Sequence, residues 1–417
     1  MNRALSVWWD DRLVGTLALT RHGSMSFAYA PSWLAEPGLT PLSISLPKRE
    51  PRFSARECRP FFAGLLPEEG QREAVAAALA LSNKNDFALL SALGGDVAGA
   101  LTLWPSDQAH PSVTIEDEPT PLSPRDLASL LESLPKRPLL AGSELRLSLA
   151  GAQPKLPVVL IDGQVALPGK GQPTTHILKP PIARFDATIE NEALVMTLAA
   201  EVGLDVAPVE ARHAEGRRPY LLVTRYDRRL DTSGRVSRLH QEDLCQAMGI
   251  IPEHKYEAEG GPTFATSFEL LRRASTRPAV EVLKLLDAAI FNVVVGNSDA
   301  HGKNFSLLYV DDEVRLAPLY DLLCTAAYPE LSPRLAMKVG KRGSLEEMGV
   351  TTWPAFADAC RLGATYVLRR VKEISLSVRD SVAKVAEPLA DEFGSDAPRQ
   401  CAALIQTRAS RLMERAF

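Results

Sequence analysis

Cysteine is scarce in this sequence, which has five cysteines in 417 residues and no CxxC pair among them. Their odd number and wide spacing argue against a disulfide framework and against a structural zinc site. No run of 18 apolar residues occurs, so no membrane-spanning helix is predicted. Charged residues interrupt the first segment before the core of a signal peptide could form. We therefore expect a protein of the reducing cytoplasm.

An excess of positive charge is also missing. Lysine and arginine total 47 against 51 aspartates and glutamates, which gives a net charge of −4. Such a chain has no overall positive field, so any contact with DNA would be local or made by a partner. Hydrophobic residues make up 46% and charged residues 24%, the balance of an ordinary globular protein. At roughly 150 residues per domain, the length predicts two or three domains.

The hydrophobic pattern divides the chain into four segments. Alternating residues near 5–9, 14–19 and 24–29, followed by two helical patterns, predict an α+β subdomain over 1–104. Residues 105–124 contain five prolines and few large apolar side chains, which is typical of a linker. Residues 125–226 combine a helix at 124–134 and a helix at 189–202 with strand patterns at 145–149, 156–161, 175–179, 206–212 and 220–224. Residues 227–417 are mostly helical, with two short strands near 305–310 and 314–317 and three helices after Trp353.

The most informative segment is the polar turn 296–306, which follows an apolar helical stripe and precedes a strand pattern. Asp299 and Asn304 have the D-x-x-x-x-N spacing of the kinase catalytic loop, in which the aspartate accepts a hydroxyl proton and the asparagine binds Mg²⁺. Aspartate and asparagine are also common in turns, so a loop capped by these side chains is the alternative.

Asp321 stands alone as an acidic residue within an apolar segment, 316–323. A buried carboxylate without a partner is costly, and Mg²⁺ would be a suitable partner. The alternative is a helix cap at this position.

Lys179 ends a predicted strand and Glu192 lies on the helix that follows. A lysine on a sheet paired with a helical glutamate is how a kinase small lobe holds the α- and β-phosphates of ATP. Glu190 is an alternative partner on another face of the helix. Five residues follow one another along the chain in the order that a kinase requires: Lys179, Glu192, Asp299, Asn304 and Asp321.

A flexible polar loop runs from Ser148 to Lys155. Its backbone at Gly151, Ala152 and Gln153, together with Lys155, could contact phosphate oxygens, although the spacing matches neither established glycine-rich motif and a hairpin turn is the alternative. The segment 224–228 follows a strand, and the backbone of Thr224, Arg225 and Tyr226 would form the hinge that meets adenine.

Together these segments resemble the HipA family, the serine/threonine kinase toxins of bacterial toxin–antitoxin pairs. The resemblance covers almost the whole chain. It implies an α+β protein with a two-lobed protein-kinase-like fold, an added N-terminal α+β subdomain and an all-helical C-terminal part.

The resemblance also implies roles for individual residues. Asp299 would be the catalytic base and Asn304 and Asp321 the Mg²⁺ ligands. Lys179 would contact the ATP phosphates, and the backbone at 225–226 would contact adenine.

Three further roles come from the same resemblance. Ser148 would be the serine that the kinase phosphorylates on itself, which would eject its loop and disable ATP binding. Lys303 would neutralise the transferred phosphoryl group and His301 would assist at the same loop, with a purely structural role as the alternative for both.

The implied cofactors are ATP and Mg²⁺. The implied partners are a HipB-like helix-turn-helix antitoxin, operator DNA held mainly through that antitoxin, and an aminoacyl-tRNA synthetase as substrate. Two alternatives stay open at this point: a small-molecule phosphotransferase of the antibiotic-kinase type, and a catalytically silent corepressor that acts with a DNA-binding antitoxin.

Overall fold

The structure is a computed structural model that describes residues 3–108, 118–141 and 145–416. Residues 109–117 of the predicted linker lie outside the described residues. None of the helices in these ranges is both long enough and apolar enough to span a membrane.

Helices and strands are numbered in chain order. The N-terminal elements are β1 (Ala4–Trp9), β2 (Arg12–Leu19), β3 (Met25–Tyr29), α1 (Pro31–Ala35), α2 (Ala55–Ala63), α3 (Glu69–Ala78), α4 (Asp86–Leu93) and β4 (Leu101–Pro105). The middle elements are β5 (Thr120–Pro121), α5 (Pro124–Ser133), β6 (Leu156–Ile161), β7 (Gln164–Leu167), β8 (His176–Lys179), α6 (Thr188–Glu201), β9 (Val209–Ala214), β10 (Arg218–Thr224), β11 (Arg228–Leu230), β12 (Val236–Arg238), β13 (His240–Asp243) and α7 (Leu244–Met248). The C-terminal elements are α8 (Phe264–Ala274), α9 (Pro278–Val295), β14 (Ser306–Val310), β15 (Glu313–Leu316), β16 (Arg334–Val339), β17 (Arg342–Ser344), α10 (Thr352–Ala359), α11 (Ala364–Phe393) and α12 (Ala397–Ala416).

The chain divides into two compact units. The first unit comprises Met1–Pro180, Arg212–Glu253 and Leu308–Val310. The second comprises Pro181–Ala211, His254–Leu307 and Asp311–Phe417.

The first unit begins with an antiparallel sheet in the order β3-β2-β1-β4. Leu5 and Val7 alternate with less buried neighbours along β1 and are fully buried, as the period of two along a strand requires. Helices α1, α2 and α4 supply large apolar side chains to the same core, among them Trp33, Phe61 and Leu90. This sheet and its helices therefore form the predicted N-terminal α+β subdomain.

A second sheet in the first unit has the strand order β5-β7-β6-β8-β10-β9. Strand β8 lies between β6 and β10, and its last residue, Lys179, is opposite Leu221 of β10. Helix α5 begins at the N-cap Ser123, and its apolar face contributes Leu127 and Leu131 to the core of this sheet. The sheet thus fixes the position of the lysine that the sequence singles out.

The second unit contains the long apolar helix α9. It begins with Pro278 at its first turn, where the missing amide costs nothing, and ends at Gly296 in the left-handed conformation (φ +81°). A Cβ at Gly296 would lie 2.6 Å from Nε of Arg408 and 2.9 Å from Cβ of Ala326, so only glycine fits at this helix end. The polar turn predicted from the sequence starts directly after it.

The secondary structure agrees with the predictions in many segments and differs in others. The three N-terminal strands, helices α5, α6 and α9, the strand pair β14 and β15, and the last three helices are confirmed. The strand predicted at 145–149 is wrong, because only Leu147 in the described part of that segment makes an isolated bridge, to Asp96. Strand β9 begins three residues later than predicted, and strand β7 and the short strands β11, β12, β13, β16 and β17 were missed. The boundaries at residues 104, 124 and 226 stay a prediction.

A fully buried carboxylate connects separate segments of the first unit. Glu242 on β13 accepts hydrogen bonds from Oγ of Ser43 (2.5 Å), from the backbone N–H of Ile44 (3.0 Å) and from the hydroxyl of Tyr309. Burial raises the pKa of Glu242 to about 7, because these donors only partly replace the water that a charged carboxylate loses. Glu242 is therefore neutral in acidic solution and charged above neutral pH.

Replacing this carboxyl group should remove a pH-dependent loss of stability. The folded-state pKa of Glu242 lies above the ordinary value of 4.5, so its stabilising effect is complete below pH 4.5 and is lost as the pH rises through about 7. Glu242→Gln cannot ionise. Its free energy of unfolding relative to the wild type should rise between these pH values by up to about 3 kcal/mol, measured by urea denaturation. The exposed Glu392→Gln is the matched control, and a constant difference for Glu242→Gln across this range would contradict the assignment.

Candidate active site

The polar turn after α9 is held by hydrogen bonds from both sides. The backbone N–H of Ser298 donates to Oγ1 of Thr325 (2.8 Å), and the Thr325 hydroxyl donates to the carbonyl of Gly296 (3.0 Å). The carbonyl of Ser298 accepts from the N–H of Ala336 (2.8 Å), and the side-chain amide of Asn297 donates to Oδ1 of Asn292 (2.7 Å). This turn is therefore a fixed scaffold that can present a side chain precisely.

Asp299 is the residue that this scaffold presents. Its side chain is exposed, whereas its neighbours Ser298 and Ala300 are buried. The hydroxyl of Tyr256 donates to Oδ1 of Asp299 (3.0 Å), which orients the carboxylate. An accessible, oriented carboxylate can accept a proton from a substrate hydroxyl.

Tyr256 is a site residue that the sequence predictions missed. Its ring packs edge-on against His301, with ring centroids 5.3 Å apart, and the carbonyl of the preceding Lys255 accepts from the N–H of Gly302 (3.2 Å). Residues 252–260 have no helical or strand periodicity, and Tyr256 is 43 residues from Asp299 in sequence. No local pattern could have placed it beside the carboxylate.

Asn304 and Asp321, the two predicted Mg²⁺ ligands, contact each other. The amide Nδ2 of Asn304 donates to Oδ2 of Asp321 (3.1 Å). The other amide atom, Oδ1 of Asn304, is buried and has no hydrogen-bond partner in the described part of the chain. A buried acceptor without a donor next to a carboxylate is suited to a cation.

These two oxygen donors fit Mg²⁺ in particular. Mg²⁺ in phosphotransferases takes one or two protein oxygens and completes its shell with water and substrate phosphates. No cluster of three or more histidines, cysteines, aspartates or glutamates suited to a metal occurs within residues 3–108, 118–141 and 145–416. Asn304 and Asp321 are thus the two residues of this site that could hold a cation.

The backbone around Asp321 is tightly positioned. Asp321 has a left-handed conformation (φ +59°), which is unusual for a residue other than glycine. The N–H of Leu319 donates to the carbonyl of Asp205 (2.8 Å), and the hydroxyl of Tyr320 donates to the carbonyl of Lys303 (2.7 Å). Tyr320 thus connects the Asp321 segment directly to the loop that carries Asn304.

Lys303 and His301 are largely buried within the same loop, with exposed fractions of 6% and 8%. His301 packs on Tyr256, and its N–H donates to the carbonyl of Asp299 (2.8 Å). Both residues therefore support the loop, and a direct role in phosphoryl transfer stays a prediction.

In the first unit, the loop predicted to contact phosphate is docked. Ser148 is fully buried, and its hydroxyl donates to the carbonyl of Leu65 (2.7 Å). Its N–H donates to the carbonyl of Asp96 (2.9 Å), and the carbonyl of Gly151 accepts from the N–H of Glu68 (3.1 Å). Ser148 is not accessible to any phosphate donor in this conformation.

Gly151 and Lys155 form the tip of the loop. The ammonium of Lys155 donates to the carbonyl of Ala150 (2.9 Å), and Gly151 has φ +117°. A Cβ at Gly151 would lie 2.3 Å from Nζ of Lys155, so a larger residue would displace the lysine. Ala152 is exposed, and Nε2 of Gln153 is buried with no hydrogen-bond partner among the described residues, so this donor could serve a phosphate oxygen.

The side chain of Arg225 points into a buried ion cluster rather than toward a ligand. Its guanidinium donates to Asp227 (2.8 and 2.9 Å) and to Asp96 (3.2 Å). Arg228 (2.9 Å) and Arg238 (3.1 Å) also donate to Asp96. Burial raises the pKa of Asp96, but the three guanidinium groups outweigh that effect and hold this pKa far below its ordinary range.

The other predicted nucleotide contacts lie on the second sheet or on α6. Thr224 is opposite His176, and the backbone N–H of Arg225 donates to the carbonyl of Thr175 (3.0 Å), so the predicted hinge continues β10. Tyr226 is half-buried and hydrogen-bonds Gln241. Lys179 in the first unit and Glu192 in the second are both buried, and their pairing stays a prediction.

Comparison with known families decides the relationship. The family described as HipA-like C-terminal domain matches residues 147–385, and the HipA N-terminal domain matches residues 5–104. The chain belongs to the HipA family.

Individual relatives of the HipA family cover nearly the whole chain. A Sinorhizobium fredii protein called "Putative kinase Y4mE" is 60% identical over 94% of both chains. The serine/threonine-protein kinase toxin HipA of Shewanella oneidensis is 28% identical over 91% of this chain and 89% of its own length. The structure of HipA in a Shewanella oneidensis complex with HipB and operator DNA has a TM-score of 0.85 at 26% identity and covers 99% of this chain and 98% of that chain.

These relationships confirm the predicted fold and family. The match to the HipA structure supports the kinase-like α+β fold with an added N-terminal subdomain and C-terminal helices. Homology to a HipA kinase toxin supports a phosphotransferase of the kinase type. The site residues named here rest on the geometry above rather than on these matches.

Removing the charge of Asp96 should destabilise the first unit strongly. Asp96→Asn leaves Arg225, Arg228 and Arg238, whose side chains are 1%, 3% and 9% exposed, with less negative charge. Breaking a buried ion group in this way costs about 3–5 kcal/mol, which denaturant unfolding would measure. The exposed Asp380→Asn is the control and should leave the unfolding midpoint unchanged, and equal midpoints for both variants would refute a structural role for the cluster.

Proposed function

We propose that this protein is an ATP- and Mg²⁺-dependent serine/threonine protein kinase that acts as the toxin of a toxin–antitoxin pair. The contact of Asn304 with Asp321, with a buried amide oxygen left for a cation, is the observation that carries this proposal. Asn304 lies on the same loop as the exposed, oriented carboxylate of Asp299. A metal–phosphate site beside a general base is the minimum equipment for phosphoryl transfer.

In this mechanism, Asp299 accepts the proton of the attacking serine or threonine hydroxyl. Tyr256 fixes Oδ1 of Asp299 and so orients the carboxylate toward the nucleophile. Asn304 and Asp321 hold the cation, which when bound neutralises charge on the phosphates. Lys303, buried in the same loop, would stabilise the charge of the transferred group.

The first unit supplies the remaining nucleotide contacts in this proposal. Lys179, oriented by Glu192, would bind the phosphates, and the backbone after Gly151 would cover them. The backbone at 224–226 would meet adenine, while the Arg225 side chain keeps that segment in place through its ion pairs.

Substitution at Asp299 and at Asp321 should separate chemistry from binding. Asp299→Asn keeps the loop hydrogen bonds but removes the base, so phosphate transfer from ATP should fall about 10²- to 10⁴-fold while Mg²⁺·ATP still binds. Asp321→Asn should instead lose Mg²⁺-dependent ATP binding. Radiolabel transfer and calorimetry measure the two effects.

The folding of both variants is checked by their thermal unfolding. Undiminished transfer by Asp299→Asn would refute its assignment as the base. Failure of the wild type to bind ATP with Mg²⁺ would refute the kinase proposal itself.

Ser148 is proposed to be the site of self-phosphorylation. Its hydroxyl is fully buried against Leu65, so the loop must leave its docked position before phosphate can be added. A phosphoserine carries a charge of roughly −1.5 to −2 and would neither return to that buried position nor tolerate ATP phosphates nearby. Self-phosphorylation would therefore switch the enzyme off.

The modification predicts a specific phosphopeptide. After incubation with Mg²⁺·ATP, mass spectrometry should find phosphate on Ser148 in the wild type and none in Asp299→Asn. The equally buried Ser43 is the internal control and should stay unmodified. Phosphate on exposed serines but never on Ser148 would contradict this site while leaving the kinase assignment intact.

A HipB-like partner is supported by a solved relative, and the substrate is a further proposal. The solved HipA relative is in a complex with HipB and operator DNA, which supports a HipB-like antitoxin as the partner here. The net charge of −4 agrees with DNA contact made mainly by the antitoxin. An aminoacyl-tRNA synthetase is the substrate we propose, and its phosphorylation would inhibit translation.

A further inference from the structure

A half-buried arginine without a counterion lines a small cavity of the first unit. Nη2 of Arg146 donates to the carbonyls of Ser91 (2.7 Å) and Leu103 (2.9 Å). Its Nη1 is buried and has no hydrogen-bond partner among the described residues. Nor does Arg146 form a salt bridge within residues 3–108, 118–141 and 145–416. The fold thus holds one end of the guanidinium group and leaves the other end for a ligand.

The neighbouring Trp104 offers a second unpaired donor. Cζ of Arg146 lies over the Trp104 ring, 4.3 Å from its centroid. Trp104 is buried, and its Nε1 also has no hydrogen-bond partner in the part of the chain that the structure describes. Leaving buried donors unpaired is unfavourable, and a bound acceptor would remove this cost.

Both side chains line a cavity with a volume of about 20 Å³, which is room for about one water-sized group. The turn 169–172 forms another wall of this cavity. Oε1 of Gln172 accepts from the N–H of Gly169 (2.9 Å), which closes the turn. Lys170, in the same turn, is exposed and also lines the cavity. One oxygen atom of a ligand therefore fits inside, and the rest of its group would lie at the edge with Lys170.

The one carboxylate in the lining of this cavity, Asp96, is engaged elsewhere. Its two oxygens accept from Thr174 and from the three arginines of the ion cluster. Burial lowers the pKa of Arg146 to about 10, so its guanidinium stays charged at neutral pH. An anion in the cavity would supply the counterion that Arg146 lacks among the described residues.

We propose that this cavity binds the phosphate group of a small molecule. One phosphate oxygen accepts from Nη1 of Arg146 and Nε1 of Trp104, and the other oxygens face Lys170. A phosphate carries up to two negative charges near neutral pH and so matches two cations, whereas a carboxylate balances only one. Free phosphate and a phosphate monoester share this chemistry.

A bound phosphate would also stabilise the docked loop that begins at Ser148. The N–H of Asp96 donates to the carbonyl of Arg146 (2.9 Å), and the N–H of Ser148 donates to the carbonyl of Asp96 (2.9 Å). A Cβ at Gly95 would lie 2.7 Å from the carbonyl oxygen of Arg146, so the two segments pack backbone against backbone. A phosphate on Arg146 should therefore slow the phosphorylation of Ser148, a consequence that rests on the proposed function.

NMR of the full chain with nitrogen-15 in its tryptophans tests the proposal. The five tryptophans give five indole N–H signals, and Trp104→Phe, which keeps a ring but removes the N–H, identifies the signal of Trp104. Inorganic phosphate, added without Mg²⁺ or nucleotide, should move this signal until the site is saturated. Trp353, whose Nε1 is likewise buried without a partner among the described residues, is the internal control and should not respond.

Substitution of Lys170 measures the contribution of the second cation. Lys170→Ala should raise the phosphate concentration at half-saturation by about 2- to 5-fold, as expected for loss of one exposed ion pair. The exposed Lys84→Ala, also in the first unit, is the matched control and should leave it unchanged. Arg146→Gln should abolish the response, with thermal unfolding as the check that this variant folds.

The choice of anion decides the chemistry of the site. A response to inorganic phosphate alone assigns free phosphate, and a response to O-phosphoserine as well assigns a monoester; both support the proposal. An equal response to acetate or chloride at the same ionic strength overturns it. An unmoved Trp104 signal means that the cavity holds only water, which overturns it too.

Mass spectrometry of Ser148 separates this inference from the proposed function. Inorganic phosphate should slow the phosphorylation of Ser148 by Mg²⁺·ATP in the wild type and slow it less in Trp104→Phe. Equal slowing in both proteins overturns the coupling to the loop. A phosphate-dependent Trp104 signal in a chain that never transfers phosphate from ATP overturns the kinase proposal alone.

Discussion

Two buried carboxylates, Asp96 and Asp227, balance a cluster of arginines in the interior of the first unit, and Asp96 contacts the most of them. Three arginines donate to it, and the hydroxyl of Thr174 donates to the same group (2.6 Å). Several kilocalories per mole of desolvation oppose the burial of each ion, and only complete pairing offsets this cost. The loop that begins at Ser148 depends on the same residue, because the backbone carbonyl of Asp96 accepts the N–H of Ser148.

In the second unit, uncharged hydrogen bonds rather than ion pairs hold the loop of the candidate site in place. Thr325, Asn297 and Tyr320 each bond to backbone or amide groups of the catalytic loop or its neighbours. Such bonds contribute about 1 kcal/mol each, but leaving a buried donor or acceptor unpaired costs more. The loop is therefore fixed in one arrangement, and Oδ1 of Asn304, which has no hydrogen-bond partner among the described residues, is the atom of this loop that could contact a ligand.

Sequence patterns pointed to those residues of the candidate site that lie within one loop or stand out as an acidic residue in an apolar segment. The spacing of Asp299 and Asn304 and the isolated acidic residue at 321 singled out Asn304 and Asp321, which are in contact, while their role as Mg²⁺ ligands stays a prediction. Tyr256 could not be predicted, because its contact with Asp299 depends on chain packing over 43 residues and leaves no periodic signal. The inward direction of the Arg225 side chain was equally hidden, since its partner Asp96 is 129 residues away. Short strands such as β11 and β12 escaped because three residues are too few to establish alternation.

The ion cluster has a consequence for how this chain can be divided. Asp96 lies within the region that matches the HipA N-terminal domain, whereas Arg225, Arg228 and Arg238 lie within the region that matches the HipA-like C-terminal domain. A gene fragment encoding only the C-terminal domain would retain the three arginines and Asp227, which pairs with Arg225 and Arg228, but would lose Asp96, which pairs with all three. The charge of these arginines is thus balanced in part by an acidic residue of the other domain. A fragment of this protein that is to fold by itself would have to contain Asp96 together with the three arginines.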